Sequence, residues 1–142
     1  MHFKRKELDK FRSLNGPLID VRSPSEYYKG HMPNSINIPL FDNEERSIIG
    51  TIYKKQGREK AVIEGLKFLE KKMELLLDNL FINIDSHKTK LGKKNNELSI
   101  RIYCSRGGMR SQSISWLLEK YKFNPITPVS YTHLRAHETL TD

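Results

Sequence analysis

The sequence predicts an α/β fold with an open, mostly parallel sheet and helices on both faces. Three short apolar segments, at residues 17–22, 35–40 and 99–103, have the composition of buried strands. The first is followed by a helix start and the third by apolar residues at helical spacing. Polar groups end the first strand, where ligand sites lie in open α/β sheets. A chain of 142 residues suits one domain with a substantial core.

The first strand follows turn residues at 15–17 and leads directly into a predicted helix. Ser23 suits the N-cap, a proline stands in the first turn, and Glu26 lies near the positive end of the helix dipole. The turn at residues 30–33 ends this helix before the second strand. Residues 1–14 fit either a short helix or an edge segment.

A helical insertion is predicted at about residues 43–80, between the second and third strands. Its apolar stripe is assigned to the core and consists of Val62, Leu66, Leu69, Met73, Leu76 and Leu80. Residues 81–84 fit a helix end or a short strand, and residues 87–97 fit a polar surface loop. A last strand is predicted at 123–127.

The only cysteine of the chain, Cys104, lies in a tight loop between the third strand and the helix that follows. Unpaired N–H groups and the positive end of the dipole at a helix N-terminus stabilise an anion in such a loop. Sites of this kind lower a thiol pKa from about 8.5 to roughly 3.5–7.5. We therefore predict that Cys104 is a catalytic nucleophile in its thiolate form.

The remainder of the loop is predicted to form an anion cradle. Paired glycines let successive N–H groups turn inward, and a planar guanidinium suits a tetrahedral oxyanion. The predicted anion- and substrate-binding loop consists of Ser105, Arg106, Gly107, Gly108, Met109, Arg110 and Ser111. A lone cysteine is more often a small buried hydrophobe, but the glycines and arginine at this helix start favour the cradle.

Four polar residues upstream are candidates for a supporting network. Asp20 and Arg22 end the first strand, Glu26 lies in the helix that follows, and His31 follows a glycine in a turn. Ordering loops is the commoner use of such groups. We therefore interpret the four as structural and not catalytic.

Composition bounds the partners and the compartment. The net charge is +8, from 25 Lys and Arg against 17 Asp and Glu, which favours polyanions such as RNA and equally fits a solvated surface. One cysteine allows no internal disulfide and no multi-cysteine zinc site. No segment resembles a membrane span or a secretion signal. We expect a cytoplasmic chain with no membrane contact and no resident metal or cofactor.

The upstream motifs resemble the rhodanese homology domain. They are an Asp-Val-Arg strand end at 20–22, a Glu-aromatic pair at 26–27 and a Gly-His-hydrophobic-Pro turn at 30–33, all before the cysteine loop. The resemblance covers residues 1–127 and implies a rhodanese-like sheet. The tail at 128–142 matches no part of the family and is predicted to be unrelated or non-native, so the closing C-terminal helix is expected to be absent.

Two further motifs resemble bacterial tRNA 2-selenouridine synthases. One is the Gly-Thr-hydrophobic-Tyr-Lys-x-Gln-Gly-Arg run at residues 50–58, and the other is the Tyr-Cys-x-Arg-Gly-Gly-Met-Arg-Ser loop at 103–111. The resemblance implies that selenium replaces sulfur at C2 of the tRNA wobble uridine, with selenophosphate as donor and Cys104 as nucleophile or chalcogen carrier.

The same resemblance implies parts that this chain does not contain. The synthases carry a second domain with a phosphate-binding loop, the expected site for geranyl diphosphate, and no Gly-x-x-x-x-Gly-Lys-Ser/Thr run occurs here. The expected partners are tRNA, selenophosphate and that missing domain. We expect that the fragment alone cannot complete the tRNA reaction.

Three alternatives remain open at the level of sequence. Cys104 and Arg110 have the Cys-x5-Arg spacing of cysteine phosphatases, and a rhodanese-fold sulfurtransferase also fits. A non-catalytic binding module is the third hypothesis, and it conflicts with an intact thiolate loop.

Overall fold

A four-stranded parallel sheet forms the centre of the computed structural model, which describes residues 5–91, 98–105 and 108–128. The strands are β1 (Leu18–Asp20), β2 (Ile36–Asn37), β3 (Ser99–Tyr103) and β4 (Asn124–Ile126), in the order β2-β1-β3-β4. The helices are α1 (Arg5–Ser13), α2 (Pro24–Lys29), α3 (Asn43–Gln56), α4 (Arg58–Leu91) and α5 (Met109–Lys120). The predicted α/β architecture is confirmed.

Strand β1 holds the sheet together because it pairs with a neighbour on each side. Ile19 is aligned with Ile36 of β2 and with Ile102 of β3, and both pairings are parallel. β3 pairs with β4 on its other edge. All four carboxyl ends therefore face the same edge of the sheet.

The two faces of the sheet are covered unequally. Ile19, Ile100 and Ile102 belong to the main core together with the buried residues of α4 and α5, namely Leu69, Leu76, Leu80, Ile84, Ile114 and Leu118. On the opposite face Leu18 and Tyr103 pack with Phe11 of α1. Alternate residues of a strand point to opposite faces, so consecutive residues of β3 contribute to both clusters.

Arg101 fixes α1 to the second face. Its guanidinium donates to the carbonyl oxygens of Arg12 at 2.6 Å and Gly16 at 2.8 Å. The N-terminal segment is thus a helix and not an edge strand, as far as the structure describes it. Among the described residues no helix is long and apolar enough to cross a membrane.

Helices α3 and α4 form an antiparallel hairpin. A capping box between Asp42 and Glu45 starts α3, and Gly57 with φ 92° separates the two helices. Gly65 of α4 lies against Ile49 of α3, and Lys72 pairs with Glu45. The small residues of α4 permit this close approach.

The predicted apolar stripe of this segment is partly wrong. Leu69, Leu76 and Leu80 are buried, but Val62 is 38% and Leu66 is 59% exposed. In the first turns of α4 the small residues take the buried positions instead: Ala61 is 5% exposed, and Gly65 lies against Ile49 of α3. The helix also continues through residues 81–84 to Leu91, where a helix end, a strand and a surface loop were predicted.

Other predicted elements agree in place and differ in length. The strands at 17–22 and 35–40 shorten to three and two paired residues. The apolar pattern of the helix after Cys104 runs from Ile114 to Tyr121 in the sequence, whereas α5 ends at Lys120 and Tyr121 is its C-cap residue, 46% exposed. Residues 92–97 of the predicted loop and 129–142 of the tail lie outside the described residues, so the absent closing helix stays a prediction.

Replacing Gly16 by alanine should destabilise the fold by at least about 2 kcal/mol. Gly16 has φ +113°, and an added Cβ would lie 2.0 Å from the carbonyl oxygen of Ser99. Urea unfolding of Gly16→Ala measures the loss. Gly30→Ala is the control, since φ is 167° there and nothing lies within 4 Å of the added atom. Equal unfolding midpoints for the two variants would contradict this account.

Candidate active site

Cys104 directly follows β3, at the carboxyl edge of the sheet. The strand ends at Tyr103, and α5 begins at Met109. The cysteine is half-buried and packs against the main core. The predicted strand, loop and helix are therefore in place, and they set the sulfur at the start of α5.

The sulfur of Cys104 accepts a hydrogen bond from the first turn of α5. The backbone N–H of Ser111 points to Sγ at 3.3 Å, and the Ser111 hydroxyl oxygen lies 3.2 Å from the same sulfur. The N-cap residue is Gly108, which has no side chain to offer and has φ 70°. The sulfur thus takes the place of a capping oxygen and satisfies one N–H that the helix leaves unpaired.

Only part of the predicted anion cradle lies within the described residues. Arg106 and Gly107 lie outside them. The N–H of Gly108 donates to the carbonyl oxygen of Ser105 at 3.2 Å, so this amide closes a turn and is not directed at a ligand. The cradle at residues 105–109 stays a prediction.

Arg110 forms a bidentate ion pair with Glu26. Its two terminal nitrogens donate to the carboxylate oxygens at 2.8 and 3.2 Å, and one of them also donates to Ser105 Oγ at 2.7 Å. The guanidinium therefore joins α2, the cysteine loop and α5. Two predicted site residues meet here, and Glu26 occupies the fork that we assigned to a substrate anion.

The environment of Glu26 favours its ionised form. Burial is the largest single influence and raises the pKa of the carboxyl, but the hydrogen bonds and charge of Arg110 and the hydrogen bonds of Ser23 together outweigh it. The resulting pKa is about 2. Arg46 of α3 adds a second cation, with Nε 3.5 Å from Oε1.

Asp20 and Arg22 form a separate network on the other face of the sheet. The fully buried carboxylate of Asp20 pairs with Arg22 at 2.7 Å, and this hydrogen bond is the main cause of a raised Arg22 pKa. The same guanidinium donates to the carbonyl oxygen of Gly30 at 2.6 Å. Asn37 donates to the carbonyl oxygens of Asp20 and Arg22. These contacts fix the loop after β1.

His31 belongs to neither network. Its ring stacks on Tyr27 with centroids 3.7 Å apart, and Nδ1 lies 2.8 Å from the Tyr27 carbonyl oxygen. The residue is exposed. The four predicted supporting residues are thus divided among three places, and only Glu26 contacts the cysteine loop through Arg110.

Sequence reasoning missed two residues that organise this edge. The hydroxyl of Tyr103 accepts a hydrogen bond from the backbone N–H of Met32 at 2.9 Å and shares a second hydrogen bond with the hydroxyl of Ser35. These bonds connect the turn after α2 to β3. Burial raises its pKa. Its position next to Cys104 on a buried strand was the available signal. For Arg46 the sequence contains no such signal, because its partner Glu26 lies on another helix.

A known protein family matches most of the chain. Residues 4–131 match the rhodanese-like domain family. The chain belongs to the rhodanese-like family. The match ends at residue 131, inside the tail that was predicted to begin at residue 128.

Curated relatives of this rhodanese-like chain include two tRNA 2-selenouridine synthases. The protein from Proteus mirabilis (strain HI4320) is 38% identical over 84% of this chain, and that from Nitrosomonas eutropha is 36% identical over 91%. The alignments cover 31% of each relative. The chain therefore spans about a third of the length of these proteins.

A solved structure has the same fold. It is the N-terminal domain of a protein from Clostridium difficile 630 described as ATP/GTP binding, with 36% identity and a TM-score of 0.66. The match covers 84% of this chain and 86% of that one.

Among the described residues no group of three His, Cys, Asp or Glu is placed to hold a metal ion.

Replacing Glu26 by glutamine should remove a pH-dependent part of the stability. The carboxyl has a pKa of about 2 in the folded chain against 4.5 ordinarily, so the unfolded state binds its proton first as the pH falls. The ion pair thus stabilises the fold above pH 4.5 and is lost towards pH 2. Allowing for solvent screening, we expect Glu26→Gln to cost about 1–2 kcal/mol at pH 7.

Urea unfolding between pH 2 and 7 measures this effect. Glu119→Gln is the matched control, because Glu119 is an exposed residue of α5 whose side chain makes no ion pair within the described part of the chain. If the Glu26 and Glu119 variants follow the same curve, the ion pair contributes nothing measurable.

Proposed function

We propose that this chain is the rhodanese domain of a tRNA 2-selenouridine synthase. In this proposal Cys104 is the nucleophile or chalcogen carrier for the replacement of sulfur by selenium at C2 of the wobble uridine, with selenophosphate as donor. The observation that carries the proposal is the sulfur of Cys104 at the start of α5, within 3.3 Å of a helix N–H, in a chain that is 38% identical to such a synthase.

The placement of the sulfur supports a reactive thiolate. A negative sulfur is stabilised by the N–H of Ser111 and by the positive end of α5. It is half-buried at the carboxyl edge of the sheet, where a donor can approach it. A persulfide-type or selenide adduct on this atom would receive the same hydrogen bond.

Arg110 and the loop amides other than that of Gly108, which bonds Ser105, are proposed to hold the anionic donor. In the described arrangement Glu26 and Ser105 accept from the Arg110 nitrogens. A phosphate-like group would have to share this guanidinium with Glu26 or displace the carboxylate. Arg46, 3.5 Å from Glu26, supplies the carboxylate with an alternative partner.

The complete reaction would need more than this chain. The relatives are about three times longer than the segment they share with it. We propose that a phosphate-loop domain supplies the prenyl diphosphate site, that tRNA is the substrate, and that the reaction takes place in the cytoplasm. The rhodanese-like domain would supply the chalcogen-handling step.

Formation of a chalcogen adduct on Cys104 tests the proposal. The purified chain is treated with selenosulfate, quenched with an alkylating reagent and examined by intact-protein and peptide mass spectrometry. The Cys104 thiolate bonds to the outer selenium, and sulfite leaves with the electron pair of the broken selenium–sulfur bond, so the step needs no added oxidant. We expect a selenium-containing adduct that Cys104→Ser abolishes with little loss of stability. Because the chain has one cysteine, the adduct has a single possible thiol.

Two controls separate this proposal from its alternatives. Ser113→Ala removes an exposed hydroxyl that bonds only within α5 and should leave the adduct unchanged. Release of phosphate from an aryl phosphate by the wild-type chain, without any selenium adduct, would instead identify a Cys-x5-Arg phosphatase. An unreactive Cys104 in both assays would leave a binding module.

A further inference from the structure

The α3–α4 hairpin projects from the edge of the sheet that carries Cys104. The last hydrogen bond between this segment and the end of β1 runs from the N–H of Leu40 to the carbonyl oxygen of Val21. α3 begins three residues later, at Asn43. Fourteen helical residues span about 21 Å. α4 returns beside α3 and reaches the level of Glu45 at Lys72. We call α3 and residues 58–72 the arm.

The part of α4 from Leu69 onward belongs to the main core under the sheet. Leu76, Leu80 and Ile84 lie there with Ile100 and Ile102, whereas Gly65 lies against Ile49 of α3 and against Phe41. Before Leu69 the larger apolar side chains of α4 are exposed, with Val62 at 38%, Ile63 at 49% and Leu66 at 59%. The base of the arm borders the candidate site, because Arg46 of the arm approaches Glu26, the partner of Arg110.

The tip of the arm, residues 53–58, carries three cations that no described residue pairs. Lys54, Lys55 and Arg58 are exposed, and none of them forms an ion pair or side-chain hydrogen bond with another residue that the structure describes. Tyr53 beside them is 52% exposed. Neither burial nor an ion pair within the described residues gives these side chains a role in stabilising the fold.

Helix electrostatics account for two of the three cations only. Lys54 and Lys55 stand in the last turn of α3, where a positive charge offsets the helix dipole. Arg58 stands in the first turn of α4, where the dipole opposes a positive charge. Lys60 in the same turn is compensated by Glu64 at 3.5 Å, but Arg58 has no such partner among the described residues. An external anion would remove this conflict.

The geometry points to the arm tip as an RNA-contacting surface, with Lys54, Lys55 and Arg58 on the phosphate backbone and Tyr53 stacked on an unpaired base. Lys and Arg bind phosphates without regard to sequence, and aromatic rings stack on bases of single-stranded loops. The inference rests on the proposed function, which supplies an RNA whose reacting base lies at Cys104. RNA that reached Cys104 would extend past the base of the arm towards the tip.

Binding of a fluorescein-labelled anticodon stem–loop RNA with uridine at the wobble position tests this surface. Fluorescence anisotropy of the 142-residue chain is measured between 50 and 200 mM salt. The triple variant Lys54→Gln, Lys55→Gln, Arg58→Gln should bind at least tenfold more weakly. The slope of log K against log salt should fall by roughly 2, because each phosphate that a cation no longer neutralises reduces it by about 0.7.

A charge-matched variant and a ring variant make the test specific. Lys10→Gln, Lys120→Gln, Lys122→Gln removes the same charge from α1 and the end of α5 and should leave the affinity within twofold. Tyr53→Ala should weaken binding about tenfold, and Tyr53→Phe should restore it. Equal losses in the two triple variants would show a diffuse charge effect and overturn the inference.

Other outcomes are equally decisive. If the tip variant changes the molar mass in light scattering and leaves RNA affinity unchanged, the tip is a protein interface and the inference is wrong. If Cys104 forms the selenium adduct and the tip variant binds RNA as tightly as the wild type, this inference alone is wrong. Tip-dependent RNA binding without any adduct overturns the proposed function and leaves the surface intact.

Discussion

The ion pair between Glu26 and Arg110 joins residues 84 positions apart and gives the candidate site its shape. Glu26 stands on α2, and Arg110 stands in the first turn of α5. α2 holds its carboxylate through the Ser23 capping box. The same guanidinium bonds Ser105, the residue after the cysteine. One planar group therefore fixes the distance between two helices and the loop between β3 and α5.

The sulfur of Cys104 depends on this arrangement. The first turn of α5 leaves N–H groups without partners inside the helix, and its N-cap glycine has no side chain to satisfy them. Cys104 Sγ accepts from one of these groups. The same hydrogen bond thus stabilises the start of α5 and positions the sulfur of Cys104. The local fold of α5 and the chemistry that we propose for Cys104 therefore depend on each other.

Local patterns predicted the parts of this site and not their pairing. Turn residues, caps and strand ends are set by neighbours in sequence, so Ser23, Glu26 and Cys104 were placed on the correct elements. Partners on distant elements leave no periodic signal, so the pairing of Arg110 with Glu26 was not predicted. The stripe of α4 failed for a related reason. Gly65 lies against Ile49 of α3 and Ala61 is buried, and a search for large apolar side chains at helical spacing does not count such small residues as contacts.

The partners of Glu26 bear on how an anion could enter the loop. Its low pKa means that the carboxylate is charged at neutral pH, so an anionic donor near Arg110 meets a negative charge already paired with it. Arg46 Nε is buried without a hydrogen-bond partner among the described residues and lies 3.5 Å from the same carboxylate. If Glu26 turned from one arginine to the other, its partly buried carboxylate would keep a cationic partner in both positions. The second arginine comes from the arm, so the segment that we assign to RNA also borders the donor site.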